Sequence, residues 1–478
     1  MKKLDKITPQ NEDFSRWYTD VVKQGQLMEY GPVKGTIVFK PNSYGIWENI
    51  QMEFNKVIRS KGVKNVYLPV LIPLSYIEKE KDHVKGFAPE LATITKVGDK
   101  ELNEYSVIRP TSEVLFGELF AKEVNSYNDL PIMYNQWANV LRWEKTTNPF
   151  LRTSEFLWQE GHTTHATAIE ARKLSRTMIK EYAKFLEKYL AIPTIVGKKT
   201  PKEKFAGAVT TYTIEAMMKD GKALQSGTSH YLGQNFAKAF NISFQNKDNK
   251  QELAYQTSWG VSTRLIGAII MTHGDDRGII IPPRVAPTQI DIIEVFGHKH
   301  ENVHTAAVEL QKTLGRKWRV NLDASSKGPG FKAGQSEIQG TPLRIEVGPR
   351  DLEEGIVTLV RRDTLEKIQM PIDEVKKQIK PLLDDIHNNL LTSAKARLEE
   401  KTIYTESYEE FKSIFKDDKN LKFVIVPFAG NDKDEEMIKR ETLASTRCLP
   451  FKFEKPGRRK CIITGQLTNR FVVFAKAY

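Results

Sequence analysis

Apolar residues along the chain recur at two spacings, one typical of helices and one typical of strands. Between Tyr44 and Ser60 they occupy every fourth position, as Ile46, Ile50, Phe54 and Ile58. This spacing predicts a long amphipathic helix with one buried face, which Gly62 would end. The apolar run of residues 63–73 carries Pro69 and predicts a strand at a sheet edge. Such a strand either meets a second subunit or ends a sheet within one chain.

Two alternating segments flank a proline-containing loop in residues 139–165. The segments read NVLRWE and RTSEFLWQE, the loop reads TTNPFL, and together they predict an antiparallel hairpin. Arg142 and Glu144 would share a face of the first strand, as would Trp158 and Glu160 on the second. Charged side chains beside tryptophan and phenylalanine favour an anionic ligand over the sheet, with surface ion pairs as the alternative.

Other segments predict a second hairpin, two helices and a separate α/β unit. TTYTIEAMM and ALQSGTSHYLG alternate around an Asp-Gly turn, and Gly227 would let the backbone approach a ligand. Thr111 and Ser112 precede a helical pattern and are candidates for its N-cap. The run LIGAII after Arg264 predicts a buried helix, so this arginine needs an anion or a carboxylate partner. From Val285 onward strand-like and helix-like segments alternate, which predicts a largely parallel sheet.

The composition is typical of a folded protein with a polyanionic partner. The chain of 478 residues is long enough for two to four domains at about 100–200 residues each. Charged residues make up 28% of it and the net charge is +12, which favours nucleic acid as a partner. No apolar run approaches the length of a membrane span, and the N-terminal residues lack a secretory h-region. Cys448 and Cys461 form no disulfide framework, so we expect a cytoplasmic protein without a membrane partner.

Five sequence blocks follow one another over more than half of the chain. They are RPTSE at 109–113, the hairpin above, KFAGA at 204–208, ALQSGTSHYLGQNF at 223–236 and SWGVSTRLIGAIIMTHGDDRG at 258–278. This ordered set resembles the prolyl-tRNA synthetases, a class II aminoacyl-tRNA synthetase family, in their archaeal and eukaryotic-type subgroup. The resemblance implies that the chain activates L-proline with ATP and transfers the prolyl group to tRNA(Pro).

The resemblance also implies roles for individual side chains. Arg142 and Arg264 are the implied catalytic residues, because they would neutralise the phosphates during the attack on ATP. The implied proline-binding residues are Thr111, Glu113, Arg142, Trp158, Glu160, His162, Phe205 and His230. The implied ATP-binding residues are Arg142, Glu144, Arg152, Phe156, Gln225, Thr228, Ser262 and Arg264. Mg²⁺ is expected with ATP, and His162 and His165 are interpreted as a hydrogen-bonded pair in the proline pocket, not as metal ligands.

We predict an α/β multidomain protein with three units. Residues 1–284 would form a class II catalytic domain with an antiparallel sheet, residues 285–385 an α/β anticodon-binding domain, and residues 386–478 a small α+β domain. The predicted anticodon contacts, placed around one end of a sheet, are Lys332, Arg344, Glu346, Arg350, Arg361 and Arg362. The resemblance further implies a homodimer whose interface includes the helix of residues 44–60. Residues 166–257 leave no room for a large inserted editing domain.

The C-terminal unit departs from the family pattern. Members of the family often bind a structural zinc ion there through four cysteines, but Ala429, Asp434, Cys461 and Thr464 occupy those positions. No structural zinc, and no other protein-bound metal site, is therefore predicted.

Two other functions stay open on the sequence. The chain could be a class II synthetase for another small amino acid, or an inactive synthetase-like protein that binds tRNA. A threonine enzyme would need a zinc-ligand cysteine in the catalytic unit, which has none. Retention of Arg142, Glu144 and Arg264 argues against loss of activity, because a pure RNA binder has no reason to keep them.

Overall fold

The structure is a computed structural model that describes residues 7–79, 91–453, 455 and 457–478. The predicted catalytic unit therefore includes two segments, residues 1–6 and 80–90, that lie outside the described residues. The helices are α1 (Phe14–Gln24), α2 (Pro41–Ser60), α3 (Leu74–Lys79), α4 (Glu113–Glu123), α5 (Ala168–Phe185), α6 (Asn235–Phe240), α7 (Arg264–His273), α8 (Glu301–Gly315), α9 (Pro329–Gln339), α10 (Pro349–Glu353), α11 (Val375–Glu400), α12 (Tyr408–Lys416) and α13 (Asp432–Thr442).

The strands belong to one large sheet and several smaller ones. They are β1 (Met28–Tyr30), β2 (Ile37–Phe39), β3 (Lys64–Asn65), β4 (Leu71–Pro73), β5 (Thr93–Val97), β6 (Lys100–Ile108), β7 (Ile132–Leu141), β8 (Glu155–His165), β9 (Thr194–Lys198), β10 (Thr210–Met217), β11 (Ala223–Gly233), β12 (Ser243–Gln245), β13 (Gln251–Leu253), β14 (Tyr255–Ser262), β15 (Ile290–Glu294), β16 (Val320–Asp323), β17 (Leu343–Val347), β18 (Ile356–Arg361), β19 (Lys367–Pro371), β20 (Thr402–Tyr404), β21 (Phe423–Pro427), β22 (Ser445–Pro450), β23 (Arg459–Lys460), β24 (Leu467–Thr468) and β25 (Phe471–Ala475). Among the described residues the large sheet has eleven strands in the order β20, β21, β25, β22, β9, β10, β11, β14, β8, β7, β3.

Helix α2 and both predicted hairpins are confirmed. The apolar residues at every fourth position of α2 are buried: Ile46, Ile50, Phe54 and Ile58. Strands β7 and β8 pair antiparallel, as do β10 and β11. Between β9 and β7 all neighbouring strands of the sheet are antiparallel, which confirms the predicted catalytic architecture. Helix α5 packs across β11 and β14 on the side away from the cavity described below.

The single strand predicted for residues 63–73 is wrong. That run forms β3, which pairs parallel with β7 at the edge of the large sheet, and β4, which pairs with β6 in another sheet. Pro69 lies between the two strands, and a proline has no N–H for a continuous ladder. The apolar run therefore leaves one sheet and enters another.

The predicted largely parallel sheet of the middle unit is wrong in its second half. The strand order is β16, β15, β17, β18, β19, and only the pairings of β15 with β16 and β17 are parallel. Strands β17, β18 and β19 pair antiparallel. The connection from β17 to β18, residues 348–355, is shorter than the dozen or so residues that a parallel crossover needs.

The C-terminal unit is continuous with the catalytic sheet. Strand β22 pairs with β9 through Leu449 and Lys198. The N–H of Tyr478 donates to the carbonyl of Ala223 at 3.1 Å, so the last residue docks at the start of β11. Helix α11 runs across the predicted boundary between residues 385 and 386 without a break. No helix in the described part of the chain combines the length and the apolar character that a membrane span requires.

Candidate active site

A cavity of about 270 Å³ opens on the large sheet where β8, β14, β11 and β10 lie side by side. Alternate residues of β8, from Phe156 to His162, line it, and the register sets Ser258 opposite His162 and Ser262 opposite Trp158. The predicted site residues that line it are Thr111, Glu113, Arg142, Phe156, Trp158, Glu160, His162, Phe205, Gln225, Thr228, His230, Ser262 and Arg264. The structure thus brings together residues that are far apart in the sequence.

Glu144 and Arg152 do not line the cavity, and the predicted shared strand face of Arg142 and Glu144 is wrong. Strand β7 ends at Leu141, so both residues lie in the connection that follows. The N–H of Arg142 still donates to the carbonyl of Ser154 at 2.7 Å, which keeps Arg142 beside the sheet. Arg152 is exposed at the other end of this connection.

Arg142 lies between the two ends of the cavity. Its Nε donates to the carbonyl of Pro110 at 2.9 Å, and its guanidinium stands 5.4 Å from the ring centre of Phe156 and 5.5 Å from that of Trp158. Burial lowers the pKa of Arg142, although Glu113, among other carboxylates, opposes this. The side chain is held by the backbone carbonyl and the aromatic rings in a position to contact an anion.

Arg264 is the first residue of α7 and forms the cationic end of the cavity. Its Nε donates to the carbonyl of Leu151 at 3.0 Å and its Nη1 to the carbonyl of Gln225 at 3.3 Å. Burial, with the nearby guanidinium groups of Arg152 and Arg142, lowers the pKa of Arg264 to about 10. Within the described ranges no carboxylate lies within ion-pair distance of it, so the structural salt bridge considered for this residue does not form. A cation at a helix N-terminus is suited to phosphate.

Buried carboxylates define the opposite end. The hydroxyl of Thr111 donates to the carboxylate of Glu113, and Ser112 Oγ donates to Glu160 Oε1 at 2.6 Å. Ser112 is the N-cap residue of α4, which confirms one of the two candidates, but its hydroxyl makes no capping hydrogen bond to the helix. The side chains turn instead to carboxylates that are themselves buried, where a missing hydrogen bond costs more than an open helix end.

The predicted hydrogen-bonded pair of His162 and His165 is also wrong. His162 Nε2 lies 2.9 Å from Glu160 Oε2, whereas His165 Nε2 lies 2.8 Å from Thr163 Oγ1. Residues three apart on a strand point to opposite faces, so only His162 faces the cavity. Among the residues that the structure describes, no group of three or more His, Cys, Asp and Glu side chains is placed to hold a metal ion.

His230 and Phe205 form an apolar corner beside these carboxylates. Their rings are 4.5 Å apart, and the Thr211 hydroxyl lies 3.0 Å from His230 Nδ1. Burial lowers the pKa of His230 to about 3, so its ring is neutral at neutral pH. The corner is therefore uncharged and suited to an apolar ring.

Sequence reasoning missed several residues of the cavity wall, including Lys199, Glu203, Thr211 and Ser258. The alternation in TTYTIEAMM could have indicated Thr211, because it faces the same side of β10 as later polar residues. Lys199 and Glu203 lie in a loop whose position only tertiary contacts decide. Three atoms of wall residues, Trp158 Nε1, Ser258 Oγ and Trp259 Nε1, are buried without a hydrogen-bond partner in the part of the chain described, which fits a polar ligand.

The predicted anticodon residues do not share one end of the sheet. Strands β17 and β18 are antiparallel, with Leu343 opposite Arg361, so Arg361 and Arg362 lie at the end away from Glu346 and Arg350. Arg362 forms ion-pair contacts of 2.6 and 2.8 Å with Asp275 of the catalytic unit. The other predicted anticodon residues differ in how far they are exposed to solvent.

Arg350 is exposed and Glu346 is half-buried, whereas Lys332 and Arg344 are buried. Lys332 Nζ donates to the carbonyl of Asp323 at 2.9 Å, and Arg344 lies 3.2 Å from Glu337. Arg361 is bound by Asp363 at 2.8 Å. Among the six predicted residues, Arg350 is thus the exposed arginine at the carboxyl end of β17.

The four positions that correspond to zinc ligands lie close to one another, but their donor atoms do not suit zinc. The N–H groups of Ala429 and Thr464 lie 3.2 and 3.5 Å from Cys461 Sγ. Asp434 accepts the N–H of Asn431 at 2.8 Å as part of a capping box. One thiol and one occupied carboxylate replace four thiolates, so the residues present do not fit a structural zinc site.

Three family models match successive parts of the chain. "tRNA synthetase class II core domain (G, H, P, S and T)" matches residues 95–273, "Anticodon binding domain" matches residues 287–382, and "Prolyl-tRNA synthetase, C-terminal" matches residues 408–478. These matches agree with the α/β multidomain architecture and with the class II core.

Full-length similarities extend to proteins of known name. The chain is 61% identical to the proline–tRNA ligase of Mycoplasma mobile and 60% identical to that of Mycoplasmopsis pulmonis, each over 100% of both chains. A crystal structure of prolyl-tRNA synthetase from Cryptosporidium parvum, complexed with halofuginone and AMPPNP, matches with a TM-score of 0.93. That match has 39% identity and covers 99% of each chain.

Proposed function

The chain belongs to the proline–tRNA ligase family of class II aminoacyl-tRNA synthetases, and from this membership we propose which of its residues perform the reaction. It is an aminoacyl-tRNA ligase that activates L-proline with ATP and joins it to tRNA(Pro). The observation that carries the residue-level proposal is the single cavity lined by nearly all residues expected to bind proline and ATP.

We place the proline at the carboxylate end of the cavity. The secondary ammonium of proline has two N–H donors and one positive charge, and Glu113, with Thr111 beside it, supplies an acceptor and a negative charge. The pyrrolidine ring would lie against Phe205, Trp158 and the neutral ring of His230. Glu160 and His162, which bind each other, would support this corner from the sheet.

ATP then occupies the cationic end. Arg142, between the two ends, would contact both the proline carboxylate and the α-phosphate, and Arg264 would contact the γ-phosphate. Phe156 would lie against adenine, with Gln225, Thr228 and Ser262 along the nucleotide. The attack of a carboxylate on phosphorus needs alignment and charge neutralisation more than a general base, and the arginines provide both.

The two residues outside the cavity wall keep supporting roles in this proposal. Arg152 lowers the pKa of Arg264 and is therefore close enough to add positive charge near the triphosphate. Burial lowers the pKa of Arg142 and Glu144 is among the carboxylates that oppose this, so Glu144 is close enough to be the carboxylate that we propose for Mg²⁺. Mg²⁺ is usually held by substrate phosphates, water and one or two carboxylates, and it supplies charge neutralisation when bound with ATP.

We further propose the archaeal and eukaryotic-type subgroup without an inserted editing domain, and no structural zinc. Between β8 and β14 the chain forms α5, β9 to β11, α6, β12 and β13, which supports the absence of an insertion. A test for editing is hydrolysis of alanyl-tRNA(Pro), which we expect not to be accelerated. We also propose that the three units have the predicted boundaries. Limited proteolysis would locate the linkers between them.

We propose a homodimer that uses the surface around α2. Large apolar side chains are exposed on and near this helix: Tyr44, Met52, Tyr67 and Leu71. Exposed apolar patches of this kind mark interaction sites. In addition, β3, the strand that follows α2 in the chain, lies at the edge of the large sheet. Light scattering should give twice the chain mass of 54.7 kDa. We keep a cytoplasmic location as a proposal, which cell fractionation would check.

The experiment that tests the function is amino-acid-dependent exchange of pyrophosphate into ATP over all twenty amino acids. We expect proline to drive exchange, and exchange driven by threonine or glycine but not proline would contradict the assignment. Arg264→Ala should lower proline-dependent exchange about 10²–10³-fold, because a buried donor to developing phosphate charge is lost. Arg440→Ala, which removes an exposed arginine of α13, is the matched control and should have no effect.

A further inference from the structure

Residues 199–209 join β9 to β10 and form the rim loop. It carries Glu203 and Phe205 to the cavity wall. The N–H of Phe205 donates to Thr211 Oγ1 at 2.9 Å, and its ring packs on His230. The position of the rim loop therefore shapes the end of the cavity in which we place proline.

The base of the rim loop is held by the C-terminal unit. Thr200 Oγ1 donates to Glu435 Oε2 at 3.1 Å, and Thr446 Oγ1 donates to the same oxygen at 2.8 Å. All three residues are buried: Thr200 is 1% exposed, Glu435 is 6% exposed and Thr446 is 2% exposed. A buried carboxylate that accepts two hydroxyls from different units fixes their separation.

A second buried contact reaches the residue before Thr200. Lys199 Nζ lies 3.0 Å from Glu215 Oε1, and Arg447 Nη2 lies 2.9 Å from Glu215 Oε2. Glu215 is fully buried, and both of its oxygens are occupied. Since Arg447 belongs to β22, the C-terminal unit reaches Lys199 indirectly, through Glu215 of β10, beside its direct contact at Thr200.

We propose that Glu435 is a positioning residue for the amino-acid end of the cavity. It does not line the cavity, and it acts through Thr200 on the rim loop that carries Phe205. This inference rests on the proposed function, and it gives the C-terminal unit a task that needs no zinc. A change at Glu435 should therefore affect the binding of the amino acid more than the binding of ATP.

The experiment compares KM values for proline and for ATP in pyrophosphate exchange. Glu435→Ala should raise the KM for proline about three- to tenfold, the range expected for a lost buried hydrogen bond, with little change in the KM for ATP. Glu435→Gln should restore the KM for proline, because one oxygen accepts both hydroxyls and the amide keeps such an oxygen.

The control is Glu410→Ala in the same unit. Glu410 also accepts a threonine hydroxyl, that of Thr405, but both partners of this contact belong to the C-terminal unit. An equal rise in the KM for proline in Glu410→Ala, or equal rises in both KM values in Glu435→Ala, would show general loosening and overturn the proposal. An unchanged KM for proline in Glu435→Ala would overturn it as well.

Thr200→Val tests the contact from the loop side, should Glu435→Ala fold poorly. It removes the hydroxyl and keeps the shape, so it should raise the KM for proline as Glu435→Ala does. In the double variant the two effects should not add, because they report one contact, and additive effects would overturn the proposal. If exchange in the unmodified protein is driven by another amino acid, the proposed function fails, and the same KM comparison with that amino acid still decides the role of Glu435.

Discussion

Individual side chains make one end of the cavity cationic and place carboxylates at the other. Burial, together with the guanidinium groups of Arg152 and Arg142, lowers the pKa of Arg264, which marks one end as a place for anions. At the other end, Glu113 accepts the hydroxyl of Thr111, and Glu160 accepts donors from the sheet. In the proposed binding mode the ammonium of the amino acid lies toward Glu113 and its carboxylate toward Arg142, which would aim the nucleophile at the phosphates.

At the scale of single residues, His273 at the end of α7 should make the stability of the fold sensitive to acid. Its side chain is 4% exposed and its Nε2 lies 2.8 Å from the carbonyl of Leu190. Burial lowers its pKa from 6.5 to about 3. The unfolded chain takes up a proton at this residue below pH 6.5 and the folded chain does not, so stability present above pH 6.5 is lost as the pH falls.

We expect His273 to contribute about 1.4 kcal/mol to the loss of unfolding free energy between pH 7.5 and 5.5. Urea denaturation of the protein and of His273→Asn at both pH values measures this contribution. Between the two pH values the unfolding free energy of the variant should fall by about 1.4 kcal/mol less than that of the unmodified protein. His298→Asn, which changes an exposed histidine, is the control. An equal pH dependence in the protein and in His273→Asn would contradict the prediction.

At the scale of elements, the C-terminal unit has a core of its own. The ring of Phe474 on β25 lies 5.3 Å from that of Phe411 on α12 and 5.4 Å from that of Phe428. Burial alone would raise the pKa of the Cys461 thiol, but hydrogen bonds, first from the N–H of Ala429, outweigh it and lower the pKa. The thiol thus orders the turn that contains Thr464 by accepting backbone N–H groups.

From this arrangement we predict a C-terminal unit whose stability does not depend on zinc. Metal analysis of the dialysed protein should find far less than one zinc per chain, and a chelator should leave the melting temperature unchanged. Cys461→Ser should lower the melting temperature without a loss of metal, as should Cys448→Ser, which removes the other buried thiol. About one zinc per chain, released by Cys461→Ser but not by Cys448→Ser, would refute the prediction.

At the scale of the whole molecule, the middle unit is joined to the catalytic unit directly behind α7. Arg362 binds Asp275 through two contacts, Arg277 lies 2.8 Å from Glu337, and Trp17 Nε1 donates to the carbonyl of Asp275 at 2.9 Å. Because α7 begins at Arg264 and ends at His273, a rigid helix connects this junction to the cationic end of the cavity.

The split among the predicted anticodon residues leads to a prediction about tRNA. Exposed Arg350 should read a guanine edge of the proline anticodon, with half-buried Glu346 beside it, because bases of a splayed anticodon are accessible. Arg350→Ala should weaken charging of tRNA(Pro) by about 1–3 kcal/mol and leave proline-dependent exchange intact. Aminoacylation and exchange assays on the same preparation check this.

Two comparisons sharpen the test of Arg350. Arg316→Ala removes another exposed arginine of the same unit and should leave charging unchanged. The second and third letters of the proline anticodon are both guanine. A substitution of either guanine should reduce charging by the unmodified protein, and the loss should not add to that of Arg350→Ala if both report one contact. An Arg350→Ala variant that loses exchange as well would remove Arg350 from anticodon recognition.

The sequence by itself determined the features that depend on local spacing. Apolar residues at every fourth position predicted α2, and alternation of apolar and polar residues predicted the hairpins β7–β8 and β10–β11. The ordered motifs indicated most of the cavity wall. These succeed because helices and hairpins bury a face that is set by neighbouring residues.

Only the tertiary structure decided which distant residues meet and which directions strands take. Arg361 and Arg362 were expected beside Arg350, but the antiparallel β18 carries them to the other end of the sheet. Lys199 reaches the cavity wall on a loop that is held by residues more than 200 positions away, such as Glu435 at Thr200. No local pattern records such contacts, because they form by pairing buried charges and hydroxyls across surfaces that exist only once the units have packed.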